Sequence, residues 1–425
     1  MNINQQHQNR ILLIAPHGSY RTFAFINAAR QKGIEVLIAS EGKHSVVSAY
    51  SEGLHIKFDE PDLAIKKMLH EASKNPFTAV IGTDDSTTEL AAKVSKILGL
   101  EHNEPMSVEI AKRKDLARTC LRDADVKIPN FVIINIAQDS VEQISNIKFP
   151  VVVKPIGLSG SLGVIRVDDE QALEKTCRRV ATIIRQDKKL SAENYQYLLL
   201  EEFIAGDEIA VEGILIDEKF TLLSIFDKPD PLNGPYFEET YYITPSKLTE
   251  SQQQELIATL QSACDAYGLR HGPIHAECRI NEDGIWVIEI AARTIGGLCG
   301  RLLQFGTGLS LEELVLAHAI GESIPTIEQL PHDKASGVLM IPIPKHGILK
   351  RVEGLLAAQN IPLIDDVSIQ IQEGYEVIPL PDNSSYLGFI FASGSSTQEV
   401  EQALRKAHEC LNIIIAPLLF KANVA

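Results

Sequence analysis

Between residues 10 and 100, short apolar runs alternate with longer amphipathic stretches. RILLIAP, EVLIAS and FTAVIGT read as buried strands. TFAFINAARQKG, the segment from Leu63 to Glu71, and STTELAAKVSKILGL carry the helical period. The first helix should end at Gly33, where glycine accepts a left-handed cap. Alternation at this spacing predicts a doubly wound parallel α/β domain. The turn after the first strand is His17-Gly18-Ser19-Tyr20, not GxGxxG, so no dinucleotide is expected there. It is either a scaffold turn or an acceptor-substrate loop at the strand's carboxyl end.

Beyond residue 104 the pattern changes. A helix, AKRKDLARTCLRDADV, precedes strands IPNFVII and FPVVVKP, a Gly/Ser turn, strand GVIRV and helix ALEKTCRRVATIIRQ. From 197 to 300, the strands YLLLEEF, EIAVEGILI, KFTLLSIFDK, PIHAECRI and IWVIEIA surround one helix, ESQQQELIATLQSACDAYG, which should end at Gly268. This is α+β character. The proline-punctuated GESIPTIEQLPHDKAS reads as a linker. SGVLMIPIP, SIQIQEG, YLGFIFASG and the helix TQEVEQALRKAHECL then form a small α+β or sandwich-like module. The expected domains are 1–104, 105–325 (divided into 105–196 and 197–325) and 326–425.

Composition narrows the function class. The 425 residues carry 40 Lys plus Arg against 56 Asp plus Glu, a formal net charge of −16. That sign argues against a general nucleic-acid or anionic-membrane surface, while leaving room for local lysines that hold phosphate. No apolar run reaches the roughly 18–20 residues of a membrane span. The start MNINQQHQNR is polar, unlike a signal peptide. The six cysteines form no CxxC pair, so neither a zinc knuckle nor a disulfide framework is expected. A cytoplasmic, reduced, multidomain protein is the expectation.

Three segments carry chemistry. In VVVKPIGLSGSLGVIRV, Lys154 ends an apolar strand and precedes a turn containing Gly157, Gly160 and Gly163. An amide-rich turn of this kind can fold over phosphates with the lysine reaching in; as it stands, a mobile hairpin with a solvated lysine is equally open. In the stretch from Tyr197 to Glu208, a buried strand runs into a turn at Gly206. Its backbone can offer adenine a donor and an acceptor, and Glu208 can accept from a ribose; a hairpin edge with solvated acids is the other reading. In HAECRINEDGIWVIEIAAR, Asp283-Gly284 marks a hairpin. A three-residue loop, with 281 paired to 285, places Glu277 directly opposite Glu289; a two-residue loop offsets them onto opposite faces. Opposed carboxylates repel unless neutralised, and an oxygen-ligated Mg²⁺ with substrate phosphates does so. Glu289 lies inside IWVIEIAA, where an unpaired charge is costly. Alternation brings Arg293 toward the same side. ARTIGG, with Gly296 and Gly297, then allows close backbone approach to a substrate.

In this order the segments resemble the ATP-grasp superfamily of carboxylate–amine ligases. The H-x-E and E-x-A-A-R-x-x-G pattern is similar to its L-amino acid ligase (dipeptide synthetase) branch. The resemblance implies an ATP-grasp fold with an N-terminal doubly wound α/β domain and a small C-terminal α+β module. It makes Lys114 and Lys154 the phosphate-binding lysines, and Ser159, Gly160, Ser161 and Gly163 the phosphate-covering loop. It places Glu201, Glu202, Phe203 and Ile204 at the adenine hinge and Glu208 at the ribose. Glu277 and Glu289 match the metal ligands for Mg²⁺, with Mn²⁺ as a substitute. Where the superfamily often has asparagine two residues after the second glutamate, this chain has Ala291, which removes one ligand. Arg293 is expected to stabilise the acylphosphate. Lys228 and Glu239, in FDKPDPLNGPYFEETYYITP, and His275, Gly296 and Gly297 are candidate substrate contacts; for Lys228 and Glu239 a solvated structural role is equally open.

The implied activity consumes ATP to convert a carboxylate into an acylphosphate, which an amine then attacks, both substrates being small molecules. A homodimer fits the resemblance. Two rival readings stand beside it. One is a biotin-carboxylase-like enzyme using bicarbonate, whose members carry a longer glycine run. The other is an ATP-binding protein that has lost catalysis.

Overall fold

The structure is a computed structural model that describes residues 9–41, 52–138, 142–144, 147–186, 196–325 and 334–418. Among them the strands form four sheets. The first is parallel, in the spatial order Glu52–His55, Glu35–Ser40, Arg10–Ile14, Ala79–Gly82. Ile11 and Leu13 pack beneath helix Arg21–Lys32, while Leu12 and Ile14 pack on helices Pro61–Lys74 and Asp85–Leu98. Covering both faces makes this the expected doubly wound arrangement, and Gly33 caps its helix at φ 68°. The short strand Glu52–His55 has no apolar alternation and was not expected from the sequence. The strand order reverses at Arg10–Ile14, and the crevice of such a sheet opens at the carboxyl ends there.

The second sheet is antiparallel, in the order Phe131–Asn135, Tyr197–Glu202, Val151–Pro155, Ile165–Val167, and is backed by helix Glu170–Gln186. The helix expected over 111–126 is instead two helices, Pro105–Lys112 and Lys114–Asp123. Arg113 between them is extended, at φ −98° and ψ 109°, and the Lys114 N–H leaves the helix pattern to bond the Ile156 carbonyl at 3.1 Å.

The third sheet has eight strands: Gly284–Ala291, Gly272–Asn281, Asp207–Ile216, Lys219–Asp227, Tyr241–Thr244, Ala335–Ile341, Gly388–Gly394 and Ile364–Ile369. It runs from the glutamate hairpin into the C-terminal segment without interruption. Helix Glu250–Tyr267 packs on it, started by a Thr249/Gln252 capping box and ended by Gly268 at φ 71°. A small fourth sheet joins Glu376–Val377, Gly347–Glu353 and Asn412–Ala416. Part of the expected linker, 326–333, lies outside the described residues. No helix of the described residues is long and apolar enough to cross a membrane.

The hairpin corrects one expectation. Its loop has two residues, since Asn281 pairs with Gly284. Continued outward, that register would turn the glutamates to opposite faces. A β-bulge at Ile288 inserts one residue and restores Glu277 opposite Glu289. Arg118, buried on helix Lys114–Asp123, donates to the carbonyl of Ile288 at 2.6 Å. The bulge is therefore satisfied from outside the sheet.

Candidate active site

A cleft of about 760 Å³ opens where the parallel sheet, the antiparallel sheet carrying Lys154 and the glutamate hairpin meet. Lys114, Lys154 and loop residues Ser159, Gly160 and Ser161 line one wall; Glu201 to Ile204 and Glu208 line the next. Glu239, His275, Glu277, Glu289, Arg293, Gly296 and Gly297 complete it. Of the site residues that the resemblance assigns, two stand behind this lining. Gly163, at φ 72°, turns the loop against Pro155, and Lys228 lies beneath the carboxylates.

The lysine wall is built on a buried ion cluster. Glu201 is 1% exposed, and its carboxylate accepts from Arg118 and, at 2.6 Å, from Lys154. Burial pushes this carboxyl up, but the two cations outweigh it and hold it at about 2. Burial also lowers the Lys154 ammonium even with Glu201 beside it, so Arg118 is the firmer partner. Glu201 thus aims its side chain at Lys154. Glu202, on the other face of the strand, accepts from Asn130 Nδ2 at 3.0 Å and the Lys148 N–H at 2.9 Å. Both glutamate side chains of this strand end are thus engaged within the protein. Lys114 Nζ lies 2.8 Å from the Leu158 carbonyl and 3.3 Å from Glu289 Oε2. It joins the loop to the hairpin.

The carboxylate wall centres on Lys228, which is 7% exposed. Its ammonium bonds Glu239, lies 2.9 Å from Glu208 and is 3.6 Å from Glu277. The sequence left Lys228 and Glu239 open to a solvated role; the structure buries the lysine among three acids. Glu208 also accepts from Arg279 Nε at 2.8 Å. Burial, reinforced by Glu277, pushes the Glu239 carboxyl up to about 7. Burial disfavours the charged form of His275, but Glu212, 2.6 Å from Nδ1, and Glu277, 3.6 Å from Nε2, raise it to about 9.

Glu208, Glu239 and Glu277 each present an oxygen within 4.8 Å of the others, and Glu289 stands across from Glu277. The opposed Glu277 and Glu289, with Glu208 and Glu239 close by, offer the carboxylate oxygens that a hard divalent cation takes, so the donor set fits Mg²⁺. Ala291 is buried and apolar and adds no ligand.

Arg293 is 9% exposed and closes the cleft against the N-terminal domain. Its Nε donates to Asp85 Oδ1 at 2.8 Å, and its Nη1 to the Thr294 carbonyl at 3.0 Å. Beside it, Arg21 bonds both Asp84 and the Ile295 carbonyl. The turn after the first strand therefore lies at the cleft, with Gly18 and Tyr20 in its wall.

Residues 147–301 match the ATP-grasp domain, and residues 339–416 match the L-amino acid ligase C-terminal domain 2. The chain has the ATP-grasp fold, with an ATP-grasp domain followed by an L-amino acid ligase C-terminal domain. It is 27% identical over 241 residues to alanine–anticapsin ligase of Bacillus subtilis (strain 168), covering 53% of this chain and 50% of that one. The chain thus spans about half the length of the alanine–anticapsin ligases it matches. The crystal structure of L-amino acid ligase from Bacillus licheniformis superposes with a TM-score of 0.84 at 26% identity, over 96% of this chain and 99% of that one. Biotin carboxylase from Campylobacter jejuni shares the fold alone, at a TM-score of 0.68 and 15% identity, over 96% of this chain and 92% of that one.

Several residues of this ATP-grasp cleft escaped the sequence reading. Arg118 carried a usable signal, a charge on the apolar side of an amphipathic helix. Asp84 and Asp85 also did, because VIGTDDS ends a parallel strand where such sheets bind ligands. Glu212 and Arg279 follow from alternation with the residues they touch. Met340, Tyr386 and Phe389 come from the C-terminal segment, and nothing local marks them.

Proposed function

We propose that this ATP-grasp enzyme activates the carboxylate of one amino acid as an acylphosphate and joins it to the amine of a second, releasing ADP and phosphate. One observation carries the reading. A single cleft brings the phosphate-side lysines, the opposed glutamates and Arg293 to the crevice of the N-terminal sheet. In this reading nucleotide and substrate share that cleft.

In this reading Lys114 and Lys154 hold the phosphates, and the hinge from Glu201 to Ile204 orients the base. Glu277 and Glu289 would supply oxygens for Mg²⁺, which when bound neutralises the phosphates, and Glu208 faces the ribose. Arg293, fixed by Asp85, presents its guanidinium to the oxygens of the transferring phosphoryl group as the carboxylate attacks. It then holds the acylphosphate while the amine adds to the acyl carbon and phosphate leaves. Glu239 gives the donor's ammonium an acidic partner. Cys299, Met340 and Phe389 form an apolar end for its side chain, widened by Gly297, where a Cβ would lie 3.2 Å from Phe389.

Hydroxylamine trapping tests the acylphosphate. ATP, Mg²⁺ and donor amino acids offered without an acceptor should give a hydroxamate in step with ADP. ADP formation with no hydroxamate from any donor contradicts the proposal.

A further inference from the structure

The Gly/Ser loop over the phosphate side of the cleft is tied to chain segments outside its own sheet. The Gly163 N–H donates to the Pro381 carbonyl at 3.0 Å. Gly160, at φ 64°, lies so near the C-terminal segment that a Cβ there would sit 3.2 Å from Ser384 Cβ. Arg179 extends from the helix behind the loop and reaches two neighbours. Its Nη2 donates to Asp382 Oδ2 at 3.0 Å and its Nη1 to the Tyr236 hydroxyl at 2.9 Å. Arg166, on the strand leaving the loop, adds a backbone bond to Pro235 at 2.8 Å and a guanidinium bond to Asn233 at 2.8 Å.

Of these ties the ion pair is open to solvent, whereas Gly163 and Pro381 are buried. Arg179 and Asp382 are nearly half exposed, at 44% and 45% of their side chains. Exposed ion pairs hold weakly and can break and re-form, as a covering loop must to admit ATP and release ADP. A buried pair such as Arg118–Glu201 would hold permanently. Resting the loop on the C-terminal segment also couples its closure to a segment that lines the same cleft through Ser384, Ser385 and Tyr386.

We propose that Asp382, acting through Arg179, is the positioning residue that latches the Gly/Ser loop over the triphosphate and keeps the acylphosphate from water. The proposal rests on the ligase reading. If the loop opens before the amine attacks, water adds to the acyl carbon and the bond from that carbon to the phosphate oxygen breaks. Free carboxylate and phosphate are then returned with no amide made.

The test compares phosphate released with amide formed in the full chain, together with release of a fluorescent N-methylanthraniloyl ADP. Asp382→Ala and Arg179→Ala should release phosphate in excess of amide and let the labelled ADP go about two- to fivefold faster, the range an exposed ion pair supports. Asp382→Glu, and the exchanged pair Asp382→Arg with Arg179→Asp, should restore both readouts. Stoichiometric amide and unchanged ADP release in both alanine variants would overturn the latch. If no donor and acceptor give amide even in the unmodified chain, the ligase reading is the one that fails. ADP release then decides the latch alone, faster release supporting it and unchanged release overturning it.

Discussion

Replacing Glu201 with glutamine tests the ion cluster that positions Lys154. The substitution keeps shape and volume and removes the charge that Arg118 and Lys154 share. The carboxyl lies at about 2 in the fold against an ordinary 4.5, a difference that corresponds to about 3 kcal/mol at neutral pH. Removing one member of a buried pair costs about 3–5 kcal/mol in general, so the two estimates agree. The sign follows from the lowered value: the contribution is fully present above about 4.5 and is lost as pH falls toward 2. Urea unfolding can be followed through Trp286, the single tryptophan, which sits in the glutamate hairpin. Glu201→Gln should be less stable by about 3 kcal/mol between pH 5 and 7, with the gap narrowing to about 1 kcal/mol near pH 3. A gap below about 1 kcal/mol at pH 7, or one that does not change with pH, would refute the reasoning.

Other predictions concern the chemistry. Glu289→Gln should abolish ADP formation while leaving circular dichroism unchanged; retained turnover would remove Glu289 from the metal set. Arg293→Lys should lower kcat by about 10²-fold or more with a smaller change in ATP KM, because a point charge replaces a fork aimed at the developing charge; loss confined to KM contradicts that role. Chelation with EDTA should stop turnover and added Mg²⁺ or Mn²⁺ restore it; full activity after dialysis against chelator contradicts the metal reading. Met340→Ala should shift preference toward larger donor side chains, read as the ratio of kcat/KM for two donors; an unchanged ratio places the donor elsewhere.

How much could be read in advance depended on the range of the interactions. The lysine strand, the Gly/Ser turn and the hairpin are local patterns, and each forms the element expected of it. The opposition of Glu277 and Glu289 was reached through a three-residue loop that does not form. The two-residue loop and the bulge at Ile288 arrive at the same pairing, and the bulge depends on Arg118, from a distant helix. The expected single helix before Val126 breaks at Arg113 because Lys114 is drawn to the Ile156 carbonyl, a partner no periodicity reveals. The pairing of Arg293 with Asp85 joins positions 208 residues apart, and Lys228 meets its acids only once three strands are aligned. Charge type was legible; charge partners were not.

The most direct measurement of the central claim is a phosphate-release screen of amino acids, singly and in pairs, with ATP and Mg²⁺ and mass analysis of every positive reaction. The account predicts release that needs a carboxylate donor and an amine acceptor together, with a product weighing their sum less one water. Release that depends on bicarbonate, or that proceeds equally without an amine and leaves no joined product, would contradict it.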